Sequence, residues 1–153
     1  MTSDKQNRTP GLRRRAREAA LALLYQWDLG VPNLEQHIQH YFDSNTLPPK
    51  ARIYADNLVR GVVEHQDAID TNLSEVSTHW RIDRMNIIDR NVLRLAIYEI
   101  KFVDDVPRKV SINEAIEIGK LFGTEDSGSF INGILDRFQK PAENASDSTL
   151  DGS

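Results

Sequence analysis

Apolar residues recur at spacings of three and four along most of this 153-residue chain, and this period constrains the fold more than any other feature. After Gly11, for example, Ala16, Leu23 and Trp27 would share one face of a helix. We find no convincing alternation of period two, apart from a short ambiguous run near Val106. The sequence therefore predicts an all-α protein, a compact bundle of about six to seven helices.

Glycines and prolines divide the pattern into helical segments. The segments with helical spacing are residues 12–29, 34–42, 49–73, 87–100, 111–122 and 125–138. We expect the third to bend between Val62 and Ile69. The fourth is apolar on most sides, so it should be the most buried helix.

Two helix starts carry polar signals. Residues 111–114 (Ser-Ile-Asn-Glu) match a capping box, although the helix could equally begin nearer Pro107. Glu125 and Asp126 would occupy the first turn of the last helix, where acids favour the helix dipole.

The ends of the chain differ from this body. Residues 1–10 are polar, and residues 141–153 are small, acidic and without aromatic side chains. We expect two disordered tails around one helical domain over residues 11–140. The chain has no cysteine, which excludes disulfides and thiolate sites. No apolar run has the length of a membrane span or the form of a signal peptide, so we expect a cytoplasmic protein.

An arginine cluster (Arg13, Arg14, Arg15 and Arg17) opens the first predicted helix. Residues 1–17 hold six of the 19 Lys and Arg residues but only one of the 23 acidic residues. Because a helix N-terminus is already positive, four cations there cost stability, and an anionic partner would explain them. Guanidinium groups fork onto phosphates and stack on bases. The alternative is a solvated charged turn whose aliphatic stems cover the edge of the core.

A second candidate site lies between the last two predicted helices. Phe122 and Phe130 flank a short segment that contains Asp126. Single-stranded bases stack on aromatic faces, and an aspartate beside them can read a base edge. On spacing alone we favour the other interpretation, in which both phenylalanines are core residues at helix ends.

Catalytic motifs are weak. His37 and His40 are three residues apart and could share a metal, but no HExxH pattern or third ligand accompanies them. We expect both to face solvent. The chain has no glycine-rich phosphate loop and no triad spacing, so the sequence predicts neither an enzyme nor a cofactor or metal site.

Three stretches carry a resemblance. Residues 13–27 read RRRAREAALALLYQW, residues 89–99 read DRNVLRLAIYE, and residues 105–136 contain INEAIE, FGTEDS and FINGILD. In this order they resemble the NusB family of bacterial transcription antitermination factors, and the resemblance covers about residues 12–138.

The resemblance implies two packed three-helix subdomains linked by the first helix. It also implies binding of single-stranded boxA RNA together with NusE, a small-subunit ribosomal protein, in a complex with RNA polymerase that suppresses termination. The implied RNA-binding residues are Arg13, Arg14, Arg15, Arg17, Phe122, Asp126 and Phe130, and those implied for NusE are Tyr25 and Asp89. Asp89 is an acid where the family often has a glutamate. Whether the free protein is a monomer or a homodimer stays open.

Two further interpretations remain at this stage. One is a protein–protein adaptor whose arginines only solubilise it, and the other is an isolated module like the helical domain of some ribosomal RNA cytosine methyltransferases. For RNA binding, four neutralised phosphates predict a slope of about −2.8 in log–log salt dependence, or about a fifty-fold loss of affinity from 50 to 200 mM salt.

Overall fold

The computed structural model describes residues 11–138, so the tails expected at residues 1–10 and 141–153 lie outside the described residues. Between residues 11 and 138 the chain forms seven α-helices and no strand, which confirms the all-α prediction. The helices are α1 (Leu12–Asp28), α2 (Leu34–Ser44), α3 (Pro49–Glu64), α4 (Gln66–Val76), α5 (Ile87–Phe102), α6 (Arg108–Phe122) and α7 (Ser127–Leu135). A 3-10 turn, Ile82–Arg84, precedes α5.

Helix α5 lies at the centre of the molecule. It packs against α1, α3, α4, α6 and α7, and its Leu93 and Ile97 are completely buried. This explains why the sequence of α5 is apolar on most sides, because the helix meets a neighbour on nearly every side. No helix in the described part of the chain is long and apolar enough to cross a membrane.

The remaining helices form two groups around α1 and α5. Helices α5, α6 and α7 pack on one another, while α2 and α3 pack on α1 and α4 packs on α3 and α5. Helix α1 contacts both groups, through α3 on one side and α5 on the other. Small residues on α1, such as Ala16 and Ala20, are completely buried and allow these helices to approach closely.

The expected bend in the third segment is a break between two helices at His65. The amide of His65 donates to Gly61, and its carbonyl accepts from the amide of Ile69, so hydrogen bonding continues through the corner. The His65 ring also stacks on Phe102 of α5 with centroids 4.3 Å apart.

The predicted capping box is wrong. Helix α6 begins at Arg108, after Pro107, so residues 111–114 lie inside it. Ser111 Oγ instead donates to Glu99 at 3.0 Å, and Glu114 accepts hydrogen bonds from α1. The side chains of Ser111 and Glu114 thus bond to residues of other helices and do not cap their own helix. The start of α7 also differs from the prediction, since Asp126 is its N-cap and no acid lies in its first turn.

Candidate nucleic-acid interface

The arginine cluster occupies the first turns of α1, and three of its four members form ion pairs within the protein. The acceptors are a carboxylate set, Glu99 on α5, Asp105 in the α5–α6 turn and Glu114 on α6. Anionic partners that offset the unfavourable position of these arginines at a helix N-terminus are therefore present within the protein itself. The three carboxylates pair with Arg13, Arg14 and Arg17.

Arg13 is the most exposed of the three paired arginines. Its Nη2 lies 2.8 Å from Asp105 Oδ2, and the two side chains are 44% and 68% exposed. Its guanidinium carbon lies 4.5 Å from the centroid of the Tyr54 ring, within cation–π range. An exposed pair of this kind stabilises a fold by only about 0–1 kcal/mol, so an external anion can replace Asp105 at little cost.

Arg14 binds Glu114 in the bidentate geometry that guanidinium groups also use for phosphates. Its Nε and Nη2 donate to the two carboxylate oxygens at 2.8 and 2.6 Å. These hydrogen bonds lower the pKa of Glu114 and raise the pKa of Arg14. The pair is partly buried, yet both side chains reach solvent.

Arg17 is buried and holds the three elements together. Its Nε donates to Glu99 at 2.8 Å, and its Nη1 donates to Glu114 at 3.1 Å. Glu99 is only 2% exposed and also accepts hydrogen bonds from the hydroxyls of Tyr54 and Ser111. Burial raises the pKa of Tyr54, so its hydroxyl stays a donor at neutral pH.

Arg15 is half-buried, and its side chain makes no hydrogen bond or ion pair with any residue in the 11–138 range. The cluster thus divides into one buried arginine, two that are paired at the surface, and Arg15. Sequence reasoning missed the carboxylate set. Its members lie 82 to 100 positions away from the arginines they bind, and no local pattern records such pairs.

The Arg14–Glu114 pair should make folding stability depend on pH. The pKa of Glu114 is lower in the folded protein than its ordinary value of 4.5, so folding favours the ionised carboxylate. The contribution should be complete above pH 4.5 and should disappear as the pH falls through the lowered pKa. Urea unfolding of the wild type and Glu114→Gln at neutral pH and at steps below pH 4.5 measures it. The two free energies of unfolding should converge in acid, and a constant difference would contradict this assignment.

The turn between α6 and α7 presents the second predicted site. Phe122, the last residue of α6, is 49% exposed, so the expectation that it belongs to the core is wrong. It ends its helix where the chain turns, eight residues or about 12 Å along α6 from Glu114. Asp126 is exposed. The turn is closed by Ser127 Oγ, which accepts a hydrogen bond from the amide of Thr124 at 2.9 Å.

Gly123 is required in this turn because there is no space for a side chain. A Cβ atom there would lie 2.3 Å from Ser127 Oγ and 2.8 Å from the carbonyl oxygen of Gly119. We expect Gly123→Ala to lower the free energy of unfolding by about 1–3 kcal/mol and to displace Phe122. Urea unfolding measures the first effect. Gly133→Ala is the matched control, since a Cβ atom at Gly133 meets nothing within 4 Å, and equal losses in the two variants would contradict the steric argument.

Phe130 is partly buried against the core, and its ring contacts a residue that the sequence analysis did not select. Trp80 lies in the loop between α4 and the 3-10 turn, and the two ring centroids are 5.7 Å apart at an interplanar angle of 83°. Trp80 is 61% exposed. A tryptophan next to Arg81 is the one sequence signal that could have marked Trp80 as a candidate binding residue. Nothing in the sequence shows that its loop contacts α7.

The two residues implied for protein binding lie where the C-terminal end of α1 meets the start of α5. Arg14 and Asp28 are fourteen residues apart, about 21 Å along the helix. There Asp28 accepts from Arg90 Nε at 2.8 Å and from Asn91 Nδ2 at 2.9 Å, which joins the end of α1 to the start of α5. Burial opposes ionisation of Asp28, but these hydrogen bonds outweigh it and lower its pKa. We call this region the partner end.

Tyr25 and Asp89 both belong to the partner end. Tyr25 is half-buried on α1. Asp89 is buried in the first turn of α5, where its amide donates to the capping Asn86 Oδ1 at 2.7 Å and its Oδ2 accepts from Asn86 Nδ2 at 3.0 Å. Its Oδ1 is buried and has no hydrogen-bond donor among the described residues. An unsatisfied carboxylate oxygen is costly, but this one has no access to solvent, so a donor from outside reaches it only if its neighbours move.

The two histidines have different surroundings. His37 Nε2 lies 3.1 Å from the carbonyl oxygen of Leu23, which is a structural contact between α2 and α1. His37 is therefore half-buried, not solvent-facing as expected, whereas His40 is exposed. No group of three or more potential ligands within residues 11–138 could hold a metal ion.

Comparisons with known proteins agree with these features. The family model described as the NusB family matches residues 14–140. The transcription antitermination protein NusB of Myxococcus xanthus is 48% identical over 131 residues, covering 83% of this chain and 94% of that protein. The protein of the same name from Bdellovibrio bacteriovorus is 44% identical over 129 residues, covering 84% of this chain and 95% of its own length.

Solved structures give the same result. The structure of T. maritima NusB superposes with a TM-score of 0.80 at 42% identity, covering 90% of this chain and 98% of that one. A crystal structure of the antitermination factors NusB and NusE in complex with dsRNA matches with a TM-score of 0.74 at 30% identity, covering 82% and 93%. The family model spans most of the sequence and these relatives are similar over nearly their whole length, so this chain belongs to the NusB family.

Proposed function

We propose that this protein is a transcription antitermination factor that binds single-stranded boxA RNA of ribosomal RNA transcripts together with NusE, and that this complex joins RNA polymerase and suppresses termination. The observation that carries the proposal is the bidentate Arg14–Glu114 pair beside the exposed Arg13–Asp105 pair. Both arginines already hold an oxyanion at the surface, in the geometry a phosphate would take. The protein has no catalytic step in this proposal.

The RNA would bind by exchange. A phosphate oxygen replaces a carboxylate oxygen of Asp105 or Glu114, and Arg15 adds a charge that needs no exchange. Arg17 keeps its buried contact with Glu99 and holds the start of α1 in position. Because each exchange breaks one ion pair to form another, the net gain is small. We therefore expect weak binding of RNA by the protein alone.

The exposed ring of Phe122 and the carboxylate of Asp126 supply base contacts at the α6–α7 turn, and Phe130 continues this surface along α7. Aromatic faces stack on any base, while an aspartate accepts hydrogen bonds from base amino groups. The arginine cluster and this turn are joined by α6, which carries both Glu114 and Phe122.

NusE would bind at the partner end, through Tyr25 and Asp89. Residues 18–153 carry 22 acidic against 13 basic side chains, and this charge complements a basic ribosomal protein. Asp89 is buried, so its Oδ1 would accept a donor of that partner only after neighbouring side chains move. RNA and NusE then occupy different ends of α1, so both can be bound at once.

The test is reconstitution with NusE and a fluorescein-labelled single-stranded boxA RNA. We expect the heterodimer to retain this RNA on a filter more tightly than either protein alone, with a duplex of the same sequence competing poorly. Addition to a transcription reaction should increase read-through by RNA polymerase. Light scattering on the free protein reports whether it is a monomer or a homodimer.

The adaptor interpretation predicts a different outcome. It is favoured by the internal pairing of the arginine cluster, because paired arginines contribute to folding without any RNA. If NusE binds normally but the heterodimer retains no RNA, the adaptor interpretation is correct and the proposed RNA contact is wrong.

A further inference from the structure

We propose that Trp80 is a base-stacking residue that extends the RNA surface from Phe130 toward the partner end. The inference rests on the proposed function, since it needs RNA on Phe130, and it adds a binding residue in a different loop. Its basis is the contact between the two rings, with centroids 5.7 Å apart, together with the 61% exposure of Trp80.

The loop that carries Trp80 is fixed at its start. Ser77 is buried, its Oγ donates to the Leu73 carbonyl at 2.7 Å, and its own carbonyl accepts from the amide of Trp80 at 3.0 Å. At the same end, Arg137 Nη1 donates at 2.9 Å to the carbonyl of Val76, the last residue of α4, and joins the end of α7 to the start of this loop. The indole is thus held in position although most of its surface is in solvent. A pre-positioned ring loses little conformational freedom when a base stacks on it.

The position of Trp80 extends the aromatic surface of Phe130 into a second loop. The amide of Phe130 donates to the carbonyl of Asp126, one helical turn earlier, and Trp80 contacts the ring of Phe130. The next residue, Arg81, lines a cleft of about 500 Å³ together with Asp28 of the partner end. Asp126, Phe130 and Trp80 therefore form a row that leads from the α6–α7 turn to the region assigned to NusE.

The local charge favours RNA over a basic protein as the occupant. Exposed His79 and Arg81 adjoin Trp80 in the sequence and exposed Arg84 follows, while Asp83 is the one carboxylate between residues 78 and 84. Arg81 pairs with Asp83 at 2.9 Å, but both side chains are more than 60% exposed, so the pair is weak. Cations beside an exposed ring are typical of single-strand binding surfaces. They would repel a basic ribosomal protein.

Single-tryptophan fluorescence tests the inference. Trp27→Phe leaves Trp80 as the one tryptophan of this chain, and Trp27→Phe/Trp80→Phe removes both, so the difference between the two heterodimers reports Trp80 alone. We expect boxA RNA to quench this difference signal. We also expect Trp80→Ala to weaken RNA binding about tenfold and Trp80→Phe to retain most of it, since a ring still stacks.

Abasic RNAs identify the stacking directly. In a series with one base removed at a time, wild type should show a penalty at one position that is absent in Trp80→Ala. If the heterodimer binds RNA but Trp80 is not quenched and Trp80→Ala binds equally well, the Trp80 inference is wrong and the proposed function stands. If Trp80→Ala weakens NusE binding without RNA, Trp80 is a protein contact and the inference is again wrong. If the heterodimer binds no RNA, the proposed function itself is wrong.

Discussion

Replacing Glu99 with alanine should lower the free energy of unfolding by about 3–5 kcal/mol, because it leaves the buried guanidinium of Arg17 without its main carboxylate. The same change removes the acceptor for the hydroxyls of Tyr54 and Ser111. One residue of α5 thus holds α1, α3 and α6. Urea denaturation followed by circular dichroism measures the loss.

Two variants separate this effect from a general loss of charge. Asp105→Asn removes another acid that binds the arginine cluster, but its pair is exposed, so we expect a change of at most about 1 kcal/mol. In Arg17→Met/Glu99→Met both charges are absent and apolar packing replaces them, so this protein should be more stable than Glu99→Ala. A loss below about 1 kcal/mol for Glu99→Ala would show that Arg17 finds water or another acceptor.

The helices could be predicted from the sequence because their information is local. The apolar period located all of them, except that α3 and α4 were expected as one bent helix, and Pro49 marked the start of α3 correctly. The predicted start of a helix was wrong where its residues bond to a distant part of the chain. Ser111 and Glu114 have the spacing of a cap, but they serve as partners for Glu99 and Arg14, which arrive from other helices.

The candidate site was only half predictable for the same reason. The run of arginines is visible in the sequence, but its division into buried and surface members depends on carboxylates from α5 and α6. Phe122 fits an apolar period, yet α6 ends at this residue and about half of the residue remains exposed. Trp80 meets Phe130 only through the packing of the loop before α5 against α7.

The internal ion pairs also change what the salt dependence of RNA binding should be. Arg17 is buried with Glu99, so three arginines, not four, can reach phosphates. Three contacts predict a log–log slope of about −2.1, or about an 18-fold loss of affinity from 50 to 200 mM salt. A measured slope near −2.8 would mean that a fourth cation reaches a phosphate, either Arg17 drawn from its buried pair or an exposed arginine beside Trp80.

The triple variant Arg13→Ala/Arg14→Ala/Arg15→Ala should therefore weaken binding of boxA RNA by the heterodimer about 30-fold at low salt. Each exposed ion pair contributes about 0.2–1 kcal/mol, and three together give about 2 kcal/mol. The slope should also become less steep by about 2, because three fewer counterions are released. Filter binding over a salt series measures both quantities.

Asp105→Asn is the matched variant, and it should change the affinity for RNA in the opposite direction. It frees Arg13 from its partner in the protein, so RNA no longer has to displace a carboxylate there. We expect binding to become tighter by about two- to fivefold, the equivalent of one exposed pair. Since both changes act on one surface, the triple variant combined with Asp105→Asn should bind RNA as weakly as the triple variant alone. Tighter binding by that combined protein would mean that the carboxylate repels RNA directly and that Arg13 does not mediate the effect.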